Sequence, residues 1–198
     1  MPIHAILNGK TNMKQLQREL TWRCKMLLGA QHCALYTVRQ VAVHSTELEL
    51  ELVAHTLRDP FVGLASEDED EPAAAGASSL SIDSALPVPP LKFELSGLVG
   101  EVADTGTVRI LKNPSTDELY DAKVDDPLEL ASRDDGVISM AIAPVPDPSS
   151  KDEYLAVLQV VNKVPKDSSD SENFEDNDAS ALIVYGRLVG AVISHVSR

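Results

Sequence analysis

Tyr154-Leu155-Ala156-Val157-Leu158-Gln159-Val160-Val161-Asn162-Lys163 is the stretch whose reading decides the fold. Val157, Leu158, Val160 and Val161 make a nearly continuous apolar strand that ends in an Asn-Lys pair. A polar loop follows, and then Phe174 introduces a segment in which Ala181, Leu182, Tyr185, Leu188, Val189, Val192 and Ile193 recur at helical spacing. A strand ending in a cation, a loop, and a helix opening on an aromatic and an acid allow Lys163 and Asp178 to pair across the loop.

Outward from this unit, the pattern alternates between helix and strand. Met13, Leu16, Leu20, Cys24 and Leu27 are spaced by three or four residues and predict one apolar stripe on a helix between Thr11 and Ala30, with Gly29 as its terminator. Cys33 to Val38 reads as a strand, and Glu47 to Leu52 alternates strictly, as a strand does with one face in a core and the other in water. The two are expected to pair antiparallel. Residues 59–91 break the pattern. They carry five consecutive acids, Glu67 to Glu71, then Ala, Gly and Ser, then Pro87, Pro89 and Pro90, a composition expected to form a disordered acidic insertion.

Order is predicted to resume with a short strand at Lys92 to Leu95. A helix over Gly97 to Asp104 follows, capped by Ser96 and stopped at Thr105-Gly106. Val108 to Leu111 is the next strand, a helix is expected near Asp117 to Tyr120, and Val137 to Val145 forms the strand before the one first quoted. The sum is an α+β plan for one domain over 1–198. A central antiparallel sheet of about six strands has terminal helices on one face, with short helices and a pocket on the other.

With 198 residues and 43% hydrophobic content the chain can bury a sizeable core. Its net charge of -14 and pI near 4.6 argue against nucleic acid and against an anionic membrane. The amino terminus lacks a signal-peptide pattern, no run approaches the roughly 20 apolar residues of a membrane span, and Cys24 and Cys33 suggest neither zinc nor a disulfide framework. A cytoplasmic protein is expected.

No catalytic motif is present. There is no nucleophile elbow, phosphate loop or dinucleotide fingerprint, and the five histidines are dispersed, so neither an enzyme nor a bound cofactor or metal is expected. The acid pairs Asp125-Asp126 and Asp134-Asp135 sit in a Pro-containing, loop-like region where acids face water. Ser96-Gly97-Leu98-Val99-Gly100 is more suggestive. Its glycines allow a ligand close to the backbone, and the start of a helix leaves N–H groups free to receive an anion without any arginine.

Gly97 to Gly106, read as Gly-Leu-Val-Gly-Glu-Val-Ala-Asp-Thr-Gly, resembles a stretch of the GAF domains of cyclic-nucleotide phosphodiesterases. The Asn162, Lys163, Phe174 and Asp178 constellation resembles their Asn-Lys...Phe-x-x-x-Asp-Glu signature, although Ala179 stands in place of the final Glu. The resemblance implies a regulatory sensor. Leu98 and Val99 would offer backbone amides to a phosphate, Tyr120 would stand near it, Gln159 near the ribose or base, and His55 near the base. Lys163 and Asp178 would form a structural salt bridge with Phe174 beneath it. The ligand implied is cAMP or cGMP, and the expected partner is a second copy, meeting through the apolar faces of the terminal helices. The Thr-Gly-aromatic segment that helps such domains read the nucleotide is replaced by Leu128 to Gly136. The alternative is a ligand-free dimerisation or interaction module on the same fold, and a third reading is a small reductase needing a pocket-facing cysteine.

Overall fold

A computed structural model describes residues 12–41, 47–56, 91–132, 136–151, 153–165, 167 and 171–196. Twelve elements follow in order: α1 (Met13–Leu28), β1 (Ala30–Gln40), β2 (Leu48–His55), β3 (Leu91–Glu94), α2 (Gly97–Thr105), β4 (Arg109–Lys112), a 3-10 turn (Pro114–Thr116), α3 (Ala122–Asp125), a second 3-10 turn (Leu130–Ser132), β5 (Ser139–Pro146), β6 (Tyr154–Lys163) and α4 (Asp176–Val196). The strands form one six-stranded sheet in the order β3-β2-β1-β6-β5-β4, every neighbouring pair antiparallel. The α+β class and the six-stranded antiparallel sheet are as the sequence predicts. Apart from Leu91, which opens β3, the expected acidic insertion lies outside the described residues.

Both faces of the sheet are covered, and the period-2 alternation of each strand assigns side chains to one layer or the other. On β1, Cys33 and Leu35 join the core under α1 and α4, while Ala34 and Tyr36 join the core under α2 and α3. Likewise β6 sends Ala156, Leu158 and Val160 to the first layer and Val157 and Val161 to the second. This explains why its sequence is nearly continuous in apolar residues. On β5 the first layer receives the small Ala141 and Ala143, and α4 comes close. A Cβ at Gly186 would lie 2.7 Å from the carbonyl oxygen of Pro144, and one at Gly190 would run into that of Pro146.

Several local expectations are corrected by this packing. Leu28, not Leu27, completes the buried stripe of α1, which also takes in Gln17 and Thr21, and Leu27 is left 55% exposed. Gly29 closes the helix in the left-handed conformation, as expected. Glu51 does not face water: α1 covers that side of β2, and the carboxylate is buried with Arg39 Nε 2.8 Å away. No helix forms at Asp117 to Tyr120, where a turn connects the first 3-10 turn to α3. The last helix begins at Asp176, while Phe174 packs into the core just ahead of it. By length and composition α4 is apolar enough to cross a membrane, contrary to the reading of the sequence. In the fold one side of it, including Leu182 and Val189, lies in the core against β5.

The strand end that opened the sequence reading is a polar hub. Asn162 adopts a left-handed backbone (φ 55°), a conformation that asparagine tolerates better than most residues. Its Oδ1 accepts from the amides of Ile138 (2.8 Å) and Ser139 (3.3 Å), and its Nδ2 donates to Gln31 Oε1 (2.9 Å) and to the carbonyl of Gly136 (2.7 Å). One buried side chain thereby joins β1, β6 and the entry to β5. Next to it, Lys163 Nζ reaches Asp178 Oδ2 at 2.6 Å, and that oxygen also accepts from the Glu175 amide at 2.8 Å, tying β6 to the start of α4.

Replacing Asn162 by Ala strands two amides and forces a Cβ-bearing residue without a compensating side chain into the left-handed region. The expected loss is about 3–5 kcal/mol. Lys163→Met removes one half-buried ion pair and is expected to cost only about 1–2 kcal/mol. Urea denaturation of both variants checks the order, which reverses if the ion pair is the main brace.

Candidate functional site

The N-terminus of α2 begins inside the protein, where its unpaired N–H groups need acceptors. Ser96 occupies the cap position but makes no side-chain capping bond, and its hydroxyl instead donates to Asp121 Oδ2 at 3.3 Å. The acceptor comes from elsewhere in the chain. Asp125 Oδ2 accepts from the amide of Leu98 (3.0 Å) and from that of Asp121 (2.8 Å), and its Oδ1 accepts from the amide of Val99 (2.9 Å). The Asp125 side chain is essentially inaccessible to water. Gly97 makes room for it: a Cβ there would lie 2.7 Å from Asp125 Oδ2, and φ of 71° suits glycine in any case.

The single turn of α3 aims this carboxylate. Asp121 caps the turn by accepting from Lys123 N at 3.0 Å, and Val124 is buried in the second core. From the sheet, Gln159 holds the turn down, its Nε2 donating to the Asp125 carbonyl at 2.8 Å. The hydroxyl of Tyr36 lies 3.1 Å from the Val124 carbonyl and 3.2 Å from Gln159 Oε1, and shares its one proton between them. Burial, followed by the charges of Asp125 and Asp126, pushes the Tyr36 hydroxyl well above its usual range, so it remains a donor. Arg109 clamps the outer side through Glu101 of α2 (2.7 Å) and Asp117 (2.7 Å).

Three of the five residues assigned to a ligand therefore meet, but they meet around Asp125. Leu98 and Val99 are fully buried with their amides occupied, and Gln159 is a satisfied core amide. Tyr120 is half-buried, its amide donates to the Asp117 carbonyl at 3.1 Å, and its phenol is pushed up to about 12 by desolvation first and then by Asp126 and Asp125. His55 is brought to the pocket face by a β-bulge. Leu35 pairs with Ala54 and Tyr36 with Leu52, so Val53 is the extra residue, and the faces of the following positions are exchanged. His55 thus pairs with Ala34, which belongs to the pocket-side core, and is half-buried there.

The residues that sequence reading missed are Asp125, Asp126 and Tyr36. Asp125-Asp126 had drawn notice only as an acid pair facing water, which is corrected by burial: 1% and 6% exposure. The two carboxylates serve different segments, since Asp126 accepts from the amides of Leu130 and Ala131, each at 2.7 Å. Asp134-Asp135 lies outside the described residues. Cys24 and Cys33 are free thiols in the core under the terminal helices, and burial, followed by contact with Cys24, pushes the Cys33 thiol up.

Among the described residues, the cavity beside Asp125, Gln159, His32 and Leu130 holds about 10 Å³, room for about one water. A second hollow, of about 140 Å³, lies beside Asn162, Lys163 and Val164. Small-molecule pockets run to roughly 300–1,000 Å³.

No protein-family model and no curated protein sequence matches the chain. Its folded form is nonetheless similar to solved GAF domains. The A. aeolicus nlh2 GAF domain in an inactive state aligns over 98% of this chain and 91% of its own, with a TM-score of 0.57 and 14% identity. A GAF domain/HD domain protein from Geobacter sulfurreducens aligns over 100% and 99%, with 0.57 and 10%. The chain has a GAF-like fold. Residues 122 to 287 of a methyl-accepting chemotaxis protein align similarly, over 99% and 97%, with 0.58 and 12%. At such identities the shared property is the backbone path.

Asp125→Ala leaves three amides without an acceptor and is expected to lower the unfolding free energy by about 2–5 kcal/mol. The pH dependence of Asp125 has a definite sign. Desolvation outweighs the backbone hydrogen bonds and holds its pKa above the ordinary 3.8. Its stabilising contribution is therefore complete below that ordinary value and is lost as the pH rises through the raised native one. The stability of the wild type minus that of Asp125→Asn should fall with rising pH in this window, as read by denaturation at a series of pH values.

Proposed function

We propose that this chain is a regulatory GAF-like domain that works through its terminal helices, with its pocket closed by its own side chains. The observation that carries this reading is the Asp125 carboxylate on the amides of Leu98, Val99 and Asp121. A ligand phosphate seeking those donors would have to displace a buried group already satisfied there. Helix α4 supports the other half of the reading. Its outward side presents Val184 (66% exposed) and Leu188 (51% exposed), followed by Ala191, an apolar stripe opposite the side packed on the sheet. Such a stripe suits a second copy meeting helix to helix. The regulatory character is in keeping with the names of the structural neighbours, one of them a methyl-accepting chemotaxis protein. Reading the chain as non-enzymatic is in keeping with a sequence in which no catalytic motif was found.

The second reading is a cyclic-nucleotide sensor resembling those of phosphodiesterases. It is favoured by one specific observation: three N–H groups converging on a carboxylate are also a receptor for a phosphate. In that reading cAMP or cGMP exchanges with Asp125, with Gln159, Tyr120 and His55 nearby.

Thermal unfolding with each nucleotide separates the two. A ligand at 100 times its dissociation constant adds about 2.7 kcal/mol. No shift at millimolar cAMP or cGMP is expected from the closed module, and a saturable shift establishes the sensor instead. For the helices, sedimentation at micromolar concentration is expected to show a dimer, and Leu188→Glu to yield a folded monomer. A wild-type monomer would remove the dimer.

A further inference from the structure

We propose that the outer face of α1 is a docking surface for an acidic peptide segment of a partner protein. The inference stands apart from the pocket and from the α4 stripe. Leu16, Leu20, Cys24 and Leu28 turn inward, and opposite them Lys14, Arg18, Trp22 and Lys25 follow one another at steps of four, four and three, a single line along the helix. Lys14 and Arg18 are exposed, and Trp22 and Lys25 half-buried. The Lys25 ammonium sits 4.9 Å from the centre of a Trp22 ring, which orients the indole beside the cations.

The charge of this face runs against that of the chain. Helix α1 has four cations, Lys14, Arg18, Arg23 and Lys25, and one acid, Glu19, whereas the whole chain has 31 acids against 17 lysines and arginines. Of the eight described cations outside α1, four are engaged in ion pairs, Arg39 with Glu51, Lys92 with Glu49, Arg109 with Glu101 and Asp117, and Lys163 with Asp178, and within α1 Arg23 pairs with Glu19. Lys14, Arg18 and Lys25 form no ion pair among the described residues. The other described cations without an ion pair, Lys112, Lys123, Lys151 and Arg187, lie on four separate segments, whereas Lys14, Arg18 and Lys25 share one helix.

From Lys14 to Lys25 the stripe is about 16 Å long, which an extended segment of about five residues spans. Carboxylates on that segment meet the three cations, and an apolar side chain among them meets Trp22, the residue type most often found as an interface anchor. A short acidic segment fits better than an anionic bilayer, because a bilayer is an extended plane and would also bring the acidic remainder of the chain against like charge.

Trp22 is the only tryptophan, so its emission reports on this face alone. The full chain is titrated with a synthetic peptide of about ten residues of Glu and Leu, long enough to overrun the stripe. Binding is expected to shift the emission, to disappear in 1 M salt, where the screening length falls to about 3 Å, and to weaken at least roughly tenfold in Lys14→Glu/Arg18→Glu/Lys25→Glu. Far-UV circular dichroism confirms that this surface variant is folded. Absence of any shift, or equal affinity in the triple variant, overturns the proposal. A response confined to phosphatidylserine vesicles assigns the face to membranes and overturns it too. So does a shift on dilution without peptide, which means that a second copy covers the indole.

Discussion

A helix that starts in the protein interior must find acceptors for its first amides, and α2 finds them in the carboxylate of Asp125. Much of the pocket side of the fold depends on that bond. Gly97 is needed so that the carboxylate can enter, α3 is a single turn that delivers it, and Gln159 and Tyr36 rise from the sheet to hold the turn in place. Desolvation raises the cost of the charge, and three N–H donors offset part of that cost. The same geometry leaves the pocket with a ready-made anion receptor and with the anion already supplied.

The opposite face of the sheet is organised by contact between backbones. Gly186 and Gly190 let α4 lie close to β5, and the brace from Lys163 to Asp178 fixes where that helix begins. Asn162 joins neighbouring strands at the end of the sheet, because from β6 its four hydrogen bonds reach β1 and the segment entering β5. The helix layer is therefore rigidly tied to the central strands. Its outward surfaces, an apolar stripe on α4 and a cationic line on α1, remain for other molecules.

Much of the fold was legible in the sequence because period and composition act locally. The strict alternation of β2, the apolar run of β6, the helical spacing of α1 and α4, and the Gly97 to Gly106 helix each constrain a backbone before any contact is made. The ion pair of Lys163 with Asp178 was legible too, since strand, loop and helix give the two side chains an opportunity to meet and the fold realises it. The site was legible only in outline. Leu98, Val99 and Gln159 were read as neighbours of one another, and in the fold they meet around Asp125, which the reading did not connect with them.

By itself, then, the sequence determined the class of fold, the order of its elements and the residues at the mouth of α2. What only the tertiary structure decided is what fills that mouth. Asp125 is 27 positions from Leu98 in the chain, and no spacing rule relates a carboxylate in a loop to an amide in a distant helix. Burial of Glu51 beneath α1, the choice of Leu28 over Leu27 and the turning of His55 by a bulge share that cause. Each depends on how two elements meet, and the free energy of that meeting comes from desolvation and packing, which belong to the assembled layers and not to any one segment.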